Sequence, residues 1–307
     1  MNYIFGPVPS RRLGFSLGVD ILPFKTCSFD CIYCELGKTT CRTIQPVEMI
    51  PPEAVLKELK DVLAAPALTI DYITISGSGE PTLHPQLDSI IHEIKKMAHR
   101  PVALLTNSSL FYQEEVLQRA LGADVIVPSL DAPDPDAFQA INRPDPALSF
   151  EQLIEGLMKL GKARGPRIWL EVLLIKGIND APEQIEKFKD YIEKINPEKI
   201  QLNTVVRPPV ESFAQPLSYA ELQKIQKALG PKAEIISGAS KDMVQSTRSV
   251  FESAIRDMVT RRPCTAEDIA KSLGLPKEET EGLLKGLIEE KKVVCEVFNN
   301  TDFYRGT

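Results

Sequence analysis

From about residue 16 to residue 238 the chain repeats one pattern: a short apolar, β-rich run followed by an amphipathic stretch with helical spacing. The pattern predicts strands at residues 17–22, 72–76, 102–106, 125–129, 168–175, 199–203 and 234–236. Helical spacing fills the gaps at 53–63, 85–99, 114–121, 150–161, 182–195 and 219–229. Strands that are apolar on both faces and alternate with helices form a parallel sheet covered by helices. Six or seven such units are too few for an eight-fold barrel. The expected fold is α/β, an open partial (βα)6-type barrel over residues 1–240. In such sheets the chemistry gathers at the C-terminal ends of the strands.

The last sixty residues change character. Residues 249–260 and 265–273 read as helices, the second opened by the cap signal Thr265-x-x-Asp268. A Gly274-Leu275-Pro276 turn leads to a third helix at 277–290. Residues 293–297 and 302–305 then read as a hairpin around Asn299-Asn300. Three helices with a terminal hairpin resemble a small winged-helix domain, expected over 249–307. The polar segment 238–247 is the expected linker.

The motif that carries chemistry is Cys27-x-x-x-Cys31-x-x-Cys34, in a loop just after the first predicted strand. Thiolates at spacings of four and three can converge on one cubane cluster and leave its fourth iron open. A closed zinc site wants four ligands, and Cys41 is the residue that could supply a fourth. A second motif, Gly77-Ser78-Gly79-Glu80-Pro81, follows the second predicted strand at its C-terminal end. Its glycines allow close backbone approach to a ligand, and main-chain groups with Glu80 can hold an ammonium. A plain glycine-rich turn is the competing reading.

With Tyr33 at the aromatic position, the cysteine loop resembles the radical S-adenosylmethionine (SAM) superfamily, whose fingerprint is C-x-x-x-C-x-aromatic-C. The resemblance covers residues 1 to about 240 and implies a 4Fe–4S cluster on Cys27, Cys31 and Cys34. It implies that SAM chelates the open iron and is cleaved to a 5′-deoxyadenosyl radical, which abstracts hydrogen from a substrate. Tyr33 would lie beside the adenine. Gly77, Ser78, Gly79 and Glu80 are similar to the superfamily's Gly-Gly-Glu-Pro element, with Ser78 replacing a glycine, and would bind the SAM amino group. An external one-electron donor of flavodoxin or ferredoxin type is implied as partner. The segments 5–14 and 34–40 resemble the group loosely similar to wyosine-base (tRNA) synthases, which carry a second cluster on upstream cysteines. No cysteine precedes Cys27 here.

Further polar residues stand at strand ends. Asn107, Ser129, Asp131, Glu171 and Asn203 are candidate SAM ligands by the same resemblance, with capping or turn roles as the alternative. Glu171 interrupts an apolar strand and so needs a partner or a ligand. Arg143 and Arg207 are candidates to meet an anionic substrate or the SAM carboxylate, with surface ion pairs as the alternative, and Cys41 is a candidate for a catalytic or auxiliary role. The substrate stays open between a peptide or protein and a small metabolite, with wyosine-type tRNA modification as an alternative. A cluster-switched winged-helix regulator is the alternative from another class.

Lys and Arg total 36 against 42 Asp and Glu, a net charge of −6. A broad duplex-binding face wants a basic excess. The predicted third helix with its end, 276–292, carries four lysines against five glutamates. Duplex DNA is therefore disfavoured as a partner, while contact with an RNA loop stays open. No apolar run approaches the roughly 18 residues of a membrane span, and no signal peptide is visible, so the expected location is the cytoplasm without a membrane partner.

Overall fold

The short runs that are apolar on both faces build a sheet whose order is β1-β2-β5-β6-β7-β8-β9-β10. These strands are β1 (Ile4–Ser10), β2 (Gly14–Val19), β5 (Tyr72–Ile75), β6 (Val102–Thr106), β7 (Val125–Pro128), β8 (Arg167–Leu174), β9 (Lys199–Thr204) and β10 (Ala233–Ile235). All neighbours from β2 to β10 run parallel, and β1 runs antiparallel to β2 at the edge. A separate parallel pair, β3 (Thr26–Cys27) and β4 (Cys41–Arg42), lies in the cysteine loop. The computed structural model describes residues 3–10, 12–46, 49–64, 70–236, 248–273 and 275–307. The expected linker at 238–247 lies outside the described residues.

Between the strands run α1 (Pro52–Leu63), α2 (Leu87–Met97), α3 (Glu114–Ala120), α4 (Pro135–Ile141), α5 (Phe150–Lys162), α6 (Pro182–Ile195) and α7 (Tyr219–Leu229). Ser149 and Ser218 open α5 and α7 with reciprocal capping boxes, which fix where those helices start. One face of the sheet, with Ile73, Ile75, Leu104, Ile126, Leu170 and Val172, joins the helices in the main core. The other face holds a small separate cluster of Ala103, Val125, Val127 and Trp169 with Tyr72 and Leu105. Two residues further along the same strands, that face carries Asn107 after Leu105, Ser129 after Val127 and Glu171 after Trp169. Side chains repeat with period two along a strand, so the sheet has an apolar floor and a polar rim. This is the open α/β partial barrel.

Besides the short pair β3 and β4, two elements differ from the pattern predicted above. β1 precedes the expected first strand, where Pro7 and Pro9 disguise it. Proline is tolerated on an edge strand, and the register shifts between Phe5 and Val8. The second is α4, only seven residues long and begun by Asp134, whose carboxylate accepts from the Ala137 amide at 2.9 Å. Its signal is an Asp N-cap followed by proline at the first helical position.

The C-terminal segment forms α8 (Arg248–Arg261), α9 (Ala266–Leu273), α10 (Lys277–Glu289), β11 (Val293–Phe298) and β12 (Thr301–Gly306). Thr265 and Asp268 exchange hydrogen bonds at 3.0 and 3.3 Å, as the cap signal predicts. Asn299 and Asn300 both take positive φ, 49° and 58°, the backbone of a type I′ hairpin turn. A second core, including Phe251, Ile255, Val259, Ile269, Leu284 and Leu287, takes in Val8 of β1. The C-terminal helices thus rest on the edge of the sheet. No helix among the described residues is long and apolar enough to cross a membrane.

Candidate active site

The cysteine loop leaves the sheet after β2 and is held in place by its own apolar residues. Phe29 and Ile32 are buried, and the Phe29 ring meets Phe138 of α4 edge-on at 5.4 Å. The amides of Asp30 and Ile32 donate to the carbonyls of Asn142 and Ile141, each at 3.0 Å. The short helix α4 is thus the anchor for the loop. Thr39 closes the far side through its amide to Asp30 at 2.7 Å and its hydroxyl to the Phe29 carbonyl at 2.7 Å.

Cys27, Cys31 and Cys34 all line one cavity of about 380 Å³. Each sulfur meets a donor. The Lys25 ammonium lies 3.1 Å from Cys34, Asn107 Nδ2 3.5 Å from Cys27, and Asn142 Nδ2 3.6 Å from Cys31. Burial pushes the Cys27 thiol up to about 12 and the Cys31 thiol well above its ordinary value. Such groups stay protonated alone and give up the proton to a metal that binds them. Three sulfurs with donors aimed at them fit a cluster whose charge needs nearby hydrogen bonds. Cys41 lies half-buried in β4, opposite Thr26, and does not line the cavity.

Gly77, Ser78, Gly79 and Glu80 line the same cavity at the end of β5. Their glycines are required by contact with the protein itself, a point the sequence reading missed. A Cβ at Gly79 would stand 1.8 Å from the Thr26 carbonyl oxygen, and one at Gly77, where φ is +141°, 2.6 Å from the Asp20 carboxyl carbon. The loop is stitched to the cysteine loop by the Lys25 amide to the Ser78 carbonyl at 2.6 Å and the Glu80 amide to the Thr26 carbonyl at 3.0 Å.

Glu80 is buried, and its carboxylate already accepts four hydrogen bonds. Thr82 donates its amide at 3.0 Å and its hydroxyl at 2.6 Å, Thr106 its hydroxyl at 2.6 Å, and Asn107 its amide at 2.6 Å. Burial raises the Glu80 pKa, opposed by these donors. The carboxylate therefore fastens the turn after β6, which aims Asn107 at Cys27 and Ser28.

The other strand-end residues divide. Asn107, Ser129, Glu171 and Asn203 line the cavity, whereas Asp131 stands behind Tyr33 and accepts a hydrogen bond from the tyrosine hydroxyl. Burial raises Asp131 to about 6 and the Tyr33 phenol well above its ordinary value. Glu171 has found its partner: Arg12 grips it with both guanidinium nitrogens at 2.5 and 2.8 Å, and Asn203 donates to it at 2.7 Å. Arg207 lines the cavity and pairs with Glu35 at 3.1 Å. Arg143 pairs with Glu211 at 2.7 Å and is not among the residues that line the cavity.

Sequence reasoning missed four cavity residues that carry positive charge: Arg12, Lys25, Arg261 and Arg262. Arg12 belongs to the disguised β1–β2 turn. Arg261 ends α8, Arg262 follows it, and both reach the cavity because the C-terminal helices dock on β1. Arg261 lies 4.5 Å above the Phe5 ring and donates to Asp20 at 3.2 Å. The same Asp20 oxygen accepts from the Ser78 hydroxyl at 2.5 Å and from its amide at 3.2 Å. No local sequence signal links positions 20, 78 and 261.

The family profile described as the Radical SAM superfamily matches residues 21–192. A UPF0026 protein of Helicobacter pylori is 33% identical over 98% of this chain and 96% of its own length. GTPase Obg of Brachyspira hyodysenteriae is 36% identical over 98% of this chain, which spans 45% of the length of that relative. Among solved structures, a radical SAM methyltransferase from Sphaerobacter thermophilus superposes with a TM-score of 0.55 at 18% identity, over 72% of this chain and 65% of that one. That likeness shows the fold.

Proposed function

The chain belongs to the radical SAM superfamily, among the UPF0026 proteins, and on that premise we propose that Cys27, Cys31 and Cys34 hold its 4Fe–4S cluster. The superfamily uses a 4Fe–4S cluster and SAM, and its enzymes need an external electron donor. When bound, the pair supplies one-electron cleavage of SAM and a radical that abstracts hydrogen.

The chain's own residues have distinct tasks in this reading. Lys25, Asn107 and Asn142 donate toward the three sulfurs and lower the energy of their thiolate forms. The Gly77–Gly79 backbone receives the SAM amino group, with Glu80 holding the adjoining turn in shape. Tyr33, held by Asp131, offers a fixed aromatic face beside the cysteines. Ser129 and Asn203 supply polar contacts at the rim. Residues 249–307 serve as a cover that carries Arg261 and Arg262 to the cavity; their element order is that of a winged helix. The substrate enters at the open mouth between this cover and the strand ends.

One observation carries the reading: three donor-facing sulfurs and the Gly77–Glu80 loop share one cavity at the C-terminal ends of parallel strands. Electron paramagnetic resonance of the reduced, anaerobically reconstituted protein tests it. SAM should change the cluster signal, because it ligates the open iron. A cluster signal indifferent to saturating SAM would contradict the proposal.

A further inference from the structure

Five cationic side chains, four of them arginines, line the cavity of a chain whose net charge is −6. Most are committed. Arg12 grips Glu171, Arg261 donates to Asp20, and the Lys25 ammonium meets Cys34. Arg207 spends one terminal nitrogen on Glu35, yet its side chain is only 10% exposed and its Nε is buried with no hydrogen-bond partner among the described residues. A buried donor without an acceptor is rare in a native protein and calls for an explanation. Arg262 also lines the cavity, half-buried, and has no acidic partner among the described residues. Both guanidinium groups lie near enough to the buried Cys264 to act on its thiol, so they converge from the segment after β9 and from the end of α8.

Unspent guanidinium donors at one cavity wall need an acceptor that the protein does not provide. We infer that Arg207 and Arg262 form a subsite for an oxyanion, a phosphate or carboxylate carried by the substrate. Guanidinium groups present paired N–H donors whose geometry matches such an anion. The subsite explains why a C-terminal unit with acidic overall charge turns the basic end of α8 toward the cavity. It also rests on the proposed function, because it assigns a substrate class to that same site. A substrate that brings no oxygen acceptor to this wall would leave the Arg207 Nε buried and unpaired.

Isothermal titration of the anaerobically reconstituted protein, saturated with SAM and held at constant ionic strength, tests this with pyrophosphate and citrate as probes. One or both should bind, and the stronger names the preferred source, phosphate or carboxylate. Arg262→Gln should weaken that binding about tenfold or more, the loss of a charge-assisted pair of hydrogen bonds. Because Arg207→Gln removes a buried ion-pair partner and can fail to fold, Arg207→Lys is the second variant. It keeps the charge but loses the planar fork, and it too should bind about tenfold more weakly. Exposed Lys285→Gln is the control and should bind as the parent does. Absence of binding by both probes, or binding unchanged in Arg262→Gln, overturns the subsite. Competition between SAM and pyrophosphate for one place would overturn it too, by giving these arginines to the SAM carboxylate. If the parent binds pyrophosphate but shows no cluster response to SAM, the radical SAM reading fails while the subsite stands. If it responds to SAM and binds neither probe, the reverse holds.

Discussion

The two walls of the cavity are built on opposite plans. On the cysteine side the carboxylates and sulfurs are answered from within the protein: Glu80 takes four donors, Asp20 three residues, and each sulfur a donor. On the wall made by Arg207 and Arg262, donors are left over. A saturated wall holds a fixed geometry for groups that stay, and an unsaturated one keeps its bonding capacity for a molecule that comes and goes.

The largest effect should fall on the saturated wall. Replacing Cys27, Cys31 or Cys34 singly with Ala should abolish stable cluster binding, read as iron and sulfide per chain after anaerobic reconstitution. Parental iron content in all three variants would break the comparison at its base. Next comes Glu80→Ala, which strips the acceptor from four buried donors. It should destabilise the protein by about 3 kcal/mol or more, read by denaturant unfolding of parent and variant. The conservative Glu80→Gln should recover part of that loss. Against these, Arg262→Gln should change stability by less than about 0.5 kcal/mol, since it breaks no internal pair. Equal destabilisation by Glu80→Ala and Arg262→Gln would erase the distinction between the walls.

A smaller effect tests the strap that joins the C-terminal helices to the cysteine side. Arg261→Gln leaves the buried Asp20 without its cation and slackens the Ser78 loop. It should weaken SAM binding by roughly three- to tenfold, about 1 kcal/mol, with iron content unchanged in equilibrium dialysis. Arg261→Lys should restore part of the affinity. Undiminished SAM binding in Arg261→Gln would mean that the strap is only structural. For the same reason deletion of 248–307 should disturb SAM binding, because it removes Arg261 and uncovers Val8.

The smallest effect is a matter of pH. Asp131 is raised to about 6 by burial, above its ordinary 3.8. Between those values the folded state binds the proton that the unfolded state has released, so this group's contribution to stability is full below about 3.8 and falls as pH rises through 6. Asp131→Asn keeps a partner for Tyr33 and should flatten the pH dependence of the melting temperature across that window. An unchanged slope would remove Asp131 from the titration.

The saturated wall was largely legible in the sequence, because it is made of local patterns. The cysteine spacing, the glycines after a strand and the short apolar strand runs each lie within ten residues. What stayed hidden came from long-range docking. Arg12 is silent as the partner of Glu171 until the proline-rich β1 pairs with β2, although a carboxylate inside an apolar strand announced that some partner was needed. Arg261 and Arg262 sit in an ordinary amphipathic helix end, and only the packing of Val8 into the C-terminal core brings them to the cavity. Glu80 illustrates a subtler gap: its motif was recognised, but sequence could not reveal that four neighbours already occupy its carboxylate.

The central claim, that the three cysteines and the Gly77–Glu80 loop make one radical SAM site, is tested most directly by one assay. The reconstituted protein is incubated with SAM and dithionite under strict anaerobiosis, and 5′-deoxyadenosine is quantified by chromatography. The parent should form it slowly without substrate, and the protein with Cys27, Cys31 and Cys34 all replaced by Ala should form none. Equal amounts from both proteins, or none from a parent with a full cluster, would contradict the claim.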